Sequence, residues 1–357
     1  MTSGVDVVVV GGGPAGCAAA IGLARSGAKV VLLERSLEVG FKPGEILEAT
    51  IAYPLAELGL DASAITSLRM AGNVSVWGES EPVEHDVVLN PHGAGYLVDR
   101  AAMEEWLLEQ AAVAGVEVHR GVRRADHDVS NRTVAWVDGA ERSARTGVVV
   151  DASGRGSGVV GSPTRSRVDA LVGLLAYVDE RNEAPDRRLY IEAAENGYWY
   201  SAPLPHRRTV IAFMSDADLL PTDGARLDWF RASLGETQMT RSRVRSTKDV
   251  QKVVVCPAMS THRMRVSAEG WVAVGDAAST YDPISGQGVA CALTKGVAFS
   301  RLFARRGEDA TAEYAAAERA AFDDYLDLRQ ETYERGNRWP RSEFWRRRTG
   351  SARRAVG

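Results

Sequence analysis

The chain has 357 residues and a net charge of −4, with 45% apolar and 25% charged residues. That size suits two interlocked lobes, and the charge balance argues against nucleic acid or an anionic membrane as a whole-chain partner. Cys17, Cys256 and Cys291 are few and far apart, without disulfide or zinc spacing, and the six histidines form no ligand-like pair, so the expectation is no metal and a reducing, cytoplasmic setting.

Residues 5–10 are apolar apart from Asp6, too short a run to span a membrane, and lead into glycines; they read as a parallel strand buried on both faces. A small-residue helix is expected over 14–26 and a second strand over 29–34. The Gly/Pro loop 41–44 leads to a helix expected near 46–58. Residues 74–77 and 83–89 alternate like half-solvated antiparallel strands. A helix over 99–114 carries Met103, Trp106, Leu107 and Ala111 on one face, and 116–119, 133–137 and 147–150 read as strands. From 171 to 255 strands such as 171–178 and 209–214 alternate with polar loops, as in a separate mixed sheet. Residues 271–274 return to the buried-strand style, and 288–303 and 311–335 are helical.

The fold class is therefore α/β: a discontinuous Rossmann-like nucleotide lobe (1–75, 91–165 and 256–305), an inserted mixed β-sheet substrate lobe (76–90 and 166–255), and a C-terminal helix and basic tail (306–357).

Between the first strand and helix, Gly11, Gly13 and Gly16 form G-x-G-x-x-G, with Pro14 and Ala15 opening the helix. Gly11 permits a tight turn, Gly13 lets the backbone approach a pyrophosphate, and Gly16 lets helix and strand pack closely. The helix N-terminus adds unpaired N–H groups and partial positive charge. Glu34, with Arg35 beside it, ends the second strand where an acid binds a ribose. This motif does not separate NAD from FAD.

Two later segments do. "VVVDASGRGSGV" places Asp151, Gly154 and Ser157 after a buried strand. "GWVAVGDAASTYDPISGQGVACAL" delivers Gly275 and Asp276 from a strand, then Pro283, Gly286, Gln287 and Gly288 into a helix. With these, the chain resembles the FAD-dependent aromatic hydroxylase superfamily, which implies a lobe of the aromatic hydroxylase-like GR2 kind. The resemblance implies that Asp276 meets the flavin ribityl chain and that the turn after Pro283 brings N–H groups to the isoalloxazine. It also implies that Arg100, at a helix start, reaches the pyrophosphate.

Outside the flavin segments, "FKPGEILEAT" resembles a loop of flavin-dependent tryptophan halogenases and related monooxygenases. "GNVSVWGES", "NPHGAGYLVDR", "NGYWYSAPLP" and "RWPRSEFWRRR" resemble flavoproteins that hydroxylate a tryptophan inside a partner polypeptide during tryptophylquinone biogenesis, and related enzymes of peptide-derived natural products. The implied reaction is indole hydroxylation through a flavin C4a-hydroperoxide formed with O2. The partner is a tryptophan-bearing peptide or protein. With no second G-x-G-x-x-G, the reductant is NAD(P)H or reduced flavin from a separate flavin reductase. Halogenation is the alternative, and a non-catalytic flavin-bound maturation chaperone a third reading. Against halogenation, Tyr198 and Tyr200 stand at the halogenase tryptophans, Ala202 stands at its isoleucine, and no lysine occurs from 45 to 244.

Lys42 and Glu45 are the candidate polar groups near the reacting atoms: a hydrogen-bond donor to the oxygen and a proton acceptor from the ring. Tyr198, Trp199 and Tyr200 are the candidate aromatic wall for an indole. The tail over 335–354 has eight arginines and one acid, Glu343, interleaved with Trp339, Phe344 and Trp345. The aromatics are expected to anchor it while the arginines stay in water.

Overall fold

The computed structural model describes residues 3–156, 164–180 and 182–349. Ser157 and the last residues of the basic tail lie outside them.

Val7 to Val10 are almost wholly enclosed because the strand Ser3–Val10 runs parallel between Val30–Leu33 and Glu141–Asp151, inside an eight-stranded sheet. Glu117–His119 lies outside Val30–Leu33, and Trp271–Ala273 outside Glu141–Asp151, both parallel. Helix α1, Pro14–Arg25, is rich in Ala and Gly, and its small residues allow close packing on the sheet. The register pairs Val10 with Leu33 and Asp151, and Asp151 with Ala273. Segments distant in sequence therefore leave the sheet at one edge, where doubly wound folds bind ligands.

The 46–58 expectation needs correcting. Ile46–Leu47 forms a short strand against Tyr96–Val98, and helix α2 covers only Ala52–Glu57. The Val98 N–H bonds to the Glu45 carbonyl at 2.8 Å, so sheet pairing claims the backbone before a helix can start. Helix α3, Arg100–Val113, is capped by Asp99, whose side chain accepts from Ala101 and Ala102 N–H.

The second, seven-stranded sheet runs in the spatial order Val254–Pro257, Leu171–Asp179, Arg208–Asp216, Gly197–Leu204, Arg188–Ala194, Gly72–Val76, Val83–Asp86. Gly72–Val76 pairs in parallel with Arg188–Ala194, so the inserted sheet begins before residue 76, and Pro257 still belongs to it. One face carries helix α4, Arg226–Gly235, over a core containing Trp199, Phe213 and Phe230. The other face holds Tyr198 and, from the C-terminus, Tyr333, Phe344 and Trp345.

Helices α5, Gly288–Arg306, and α6, Ala310–Gly336, lead to α7, Glu343–Thr349. The tail aromatics do anchor: Phe344 and Trp345 are fully buried. The arginines do not all stay in water. Arg348 is buried on Asp216, at 2.6 Å, because the aromatic anchor carries it inside and only a carboxylate offsets its desolvation there.

Candidate active site

At the shared sheet edge Gly11 has φ 110°, and a Cβ there would sit 2.3 Å from the Ala152 carbonyl. A Cβ at Gly16 would meet the Gly11 carbonyl at 1.9 Å, so the turn tolerates no side chain at either position. Gly13 N-caps α1 without a side-chain bond and faces open space, leaving the helix-start N–H groups for a ligand. Glu34 accepts the Gly12 N–H at 2.7 Å and the Ser36 N–H at 2.8 Å, which locks the glycine loop to the second strand. Arg35 beside it is exposed.

Asp151 is fully enclosed and bonded to Arg263, at 2.8 Å, and to Ser153. Its carboxylate supports the turn beside Gly11; it does not face outward toward a ligand. Asp276, on the turn Gly275–Ala277, remains accessible and pairs with Arg155 at 3.3 Å. The turn Pro283–Ser285 ends at Gly286, in the left-handed region at φ 62°, and Gln287 N-caps α5 without a side-chain bond. Gly286 lies close to Glu48: a Cβ there would be 3.5 Å from its carboxylate.

Arg100 joins these parts. Its Nη1 donates to the Pro43 and Gly44 carbonyls, Nη2 pairs with buried Glu104, and Nε is buried without a partner. An orphaned guanidinium N–H is what a bound anion would satisfy. Glu104 also takes Lys42, so Lys42 is tied to the arginine and not to Glu45. The Lys42 expectation is corrected accordingly: in this structure its ammonium pairs with the buried Glu104 carboxylate, which Arg100 also holds. Glu104 was legible as the i+4 partner of Arg100 but was missed.

Glu45 is another enclosed carboxylate, only 4% exposed, and lies toward the inserted sheet. It accepts from the Tyr177 hydroxyl and from Gly44 N–H at 2.9 Å. Burial raises its pKa above the usual carboxylate range, and the Tyr177 hydrogen bond partly opposes this. Burial and the neighbouring carboxylate push the Tyr177 phenol up, so it remains a donor at neutral pH. Phe41 meets the Tyr177 ring edge-on at 5.0 Å and is 59% exposed, an apolar rim beside the carboxylate. Tyr177 comes from the strand Leu171–Asp179, so Glu45 bridges the flavin-type lobe and the inserted sheet.

The expected aromatic wall divides by strand alternation. Tyr200 lies on the Glu45 side, where that carboxylate helps raise its pKa after burial itself. Tyr198 shares that face but is enclosed, and its hydroxyl donates to Asp282 at 3.0 Å. Trp199 points to the opposite face, against Phe213 and Phe230 at 4.8 and 4.9 Å. Trp199 is therefore core, because successive side chains on a strand face opposite ways. Among the described residues no group of His, Cys, Asp or Glu is arranged to hold a metal ion, and no helix is long and apolar enough to cross a membrane.

The glycine turn, the open N-termini of α1 and α5, the accessible Asp276 and the unpartnered Arg100 Nε together fit an FAD laid along the sheet edge. Residues 6–162 match the family model for FAD dependent oxidoreductases. The chain is 30% identical over 355 residues to the putative FAD-dependent oxidoreductase LodB of Marinomonas mediterranea, covering 96% of each. In fold it is similar to the myxobacterial chondrochloren halogenase CndH, at TM-score 0.86 and 23% identity over 97% of this chain and 86% of that one. It is likewise similar to QhpG, a peptidyl tryptophan dihydroxylase essential for tryptophylquinone cofactor biogenesis, at TM-score 0.83 and 22% identity over 99% and 81%. With a relative at that identity spanning nearly the whole chain, and a site built for the same cofactor, this protein belongs to the FAD-dependent oxidoreductases.

Proposed function

We propose that the chain is an FAD-dependent monooxygenase that hydroxylates the indole ring of a tryptophan carried by a peptide or protein partner. The observation that carries the reading is Glu45: an enclosed carboxylate of raised pKa, held by Tyr177 where the two lobes meet. Attack on an electron-rich ring leaves a ring C–H proton to be removed, and a desolvated carboxylate suits that task. The likeness to QhpG supports a peptide-borne ring as the substrate class.

FAD, held by the Gly11–Gly16 turn, Arg100, Asp276 and the α5 N-terminus, supplies activation of dioxygen when reduced. The chain's own groups do the rest. Glu45 takes the ring proton, Tyr177 orients that carboxylate, and Tyr200 with Phe41 provides an apolar flank that keeps water from the reacting atoms. NAD(P)H or a separate flavin reductase provides electrons, and the protein works in the cytoplasm.

The test is a single turnover. FAD-loaded protein is reduced, then mixed with oxygen and a tryptophan peptide, with and without bromide. The reading requires a peptide mass gain of oxygen in both samples. A gain of bromine instead would identify a halogenase, and an unmodified peptide across a panel of tryptophan sequences would leave a non-catalytic flavoprotein.

A further inference from the structure

Asp282 carried no sequence expectation, yet it is the hub of a buried polar network. It is 0% exposed and immediately precedes the turn Pro283–Ser285. One carboxylate oxygen accepts the Tyr198 hydroxyl, from the seven-stranded sheet, and the Ile284 N–H, each at 3.0 Å. The other accepts the Tyr333 hydroxyl at 2.7 Å and Arg329 Nε at 3.2 Å, both from α6. The Asp282 N–H donates to the Tyr325 hydroxyl oxygen at 2.8 Å. Arg329 continues to Asp169 at 2.8 Å, and Arg348 of α7 lies 5.2 Å from the Tyr333 ring centre.

A buried ion pair with several added donors is weak evidence for stability, because replacing it with apolar groups is often neutral. Its property here is geometric. The oxygen that caps the turn through Ile284 also receives Tyr198, so sheet, helix and turn share one carboxylate. Six residues after Asp282 the chain enters α5, through Gly286 and Gln287.

We propose that Asp282 is a positioning residue: clamped by Tyr198, Arg329 and Tyr333, it holds the 283–288 turn in the shape that presents the α5 N-terminus to FAD. Tyr198 thereby acts through the turn and not on the substrate. The helix start favours the negative charge of reduced flavin, so a displaced turn weakens binding of the reduced form more than that of the oxidised form. The inference rests on the family's cofactor and not on the hydroxylation reading, so each can fail without the other.

The experiment measures FAD dissociation constants and midpoint potentials for Tyr198→Phe, Tyr333→Phe and Asp282→Asn. Phe230→Leu, in the core beneath α4, serves as a destabilised control away from the clamp. Loss of one hydrogen bond to a charged acceptor is expected to weaken FAD binding about tenfold in each tyrosine variant. The midpoint is expected to fall by about 30 mV for each tenfold difference between oxidised and reduced forms. Phe230→Leu should lower the melting temperature with FAD affinity unchanged. The proposal is overturned when both tyrosine variants keep the wild-type affinity and midpoint, or move no further than Phe230→Leu. The tyrosine variants decide the matter even where Asp282→Asn does not fold.

Discussion

Glu45 and Tyr177 make the most specific demands on single side chains. Replacing Glu45 with Gln keeps the shape and removes the proton acceptor. Turnover is expected to fall about 100-fold or more, with FAD affinity unchanged, as steady-state kinetics and flavin titration would read. Because Glu45 must be ionised to act, activity should rise with pH through its raised pKa. Tyr177→Phe removes the hydrogen bond that opposes this elevation, so the rising limb should move to still higher pH, visible in a pH–rate profile. The same elevation sets a sign for stability. The folded state binds the Glu45 proton more tightly than the unfolded chain does. That contribution is full below the ordinary carboxylate pKa and is lost as pH rises through the elevated one; a Glu45→Gln variant should lack it in denaturation curves.

At the scale of elements, the cradle depends on how closely α1 and α5 cross. A Cβ on Gly296 would sit 2.4 Å from the Ala15 carbonyl and 2.7 Å from Ala18 Cβ, and one on Gly22 would sit 2.2 Å from Ser300 Oγ. Small residues let the two helices touch, and on the proposed reading that contact brings both helix starts to one cofactor. Gly296→Ala is expected to force them apart, at a cost of about 1–3 kcal/mol, and to weaken FAD binding, measured by denaturant melts and flavin titration. Helix α7 works differently: it is short and held by its aromatic face. Trp345 is fully buried, rings with Trp77 at 5.5 Å and donates to the Ala194 carbonyl at 3.0 Å. Trp345→Ala is expected to cost about 3–5 kcal/mol and to release α7 to proteolysis.

Across the whole molecule, the cofactor stabilises as well as reacts. A ligand that binds only the folded chain adds about 2.7 kcal/mol when free at 100 times its dissociation constant. Stripping FAD should therefore lower the melting temperature and make it depend on added FAD, as calorimetry would read. The extent of α6 and α7 matters at this scale too. They tie the seven-stranded sheet to the Asp282 turn, so these two helices belong to the frame around that turn.

The sheet edge was readable in the linear order of residues. A buried strand, a glycine turn and a small-residue helix are local patterns whose physics needs no distant partner, which is why Gly11 and Gly16 could be named in advance; Gly286 was reached through the family resemblance of its segment. Within the insert, alternation along the strand is a local rule, but which face meets the site and which meets α4 is decided only by tertiary packing. Tyr198, Trp199 and Tyr200 therefore took three different roles. Lys42 and Asp151 met partners 62 and 112 residues away; Glu104 and Asp151 are buried carboxylates that need a cation, and only the tertiary fold brings Lys42 and Arg263 to them. Asp282 was invisible for the same reason: its donors arrive from positions 198, 329 and 333, and only packing brings them within a hydrogen bond's length.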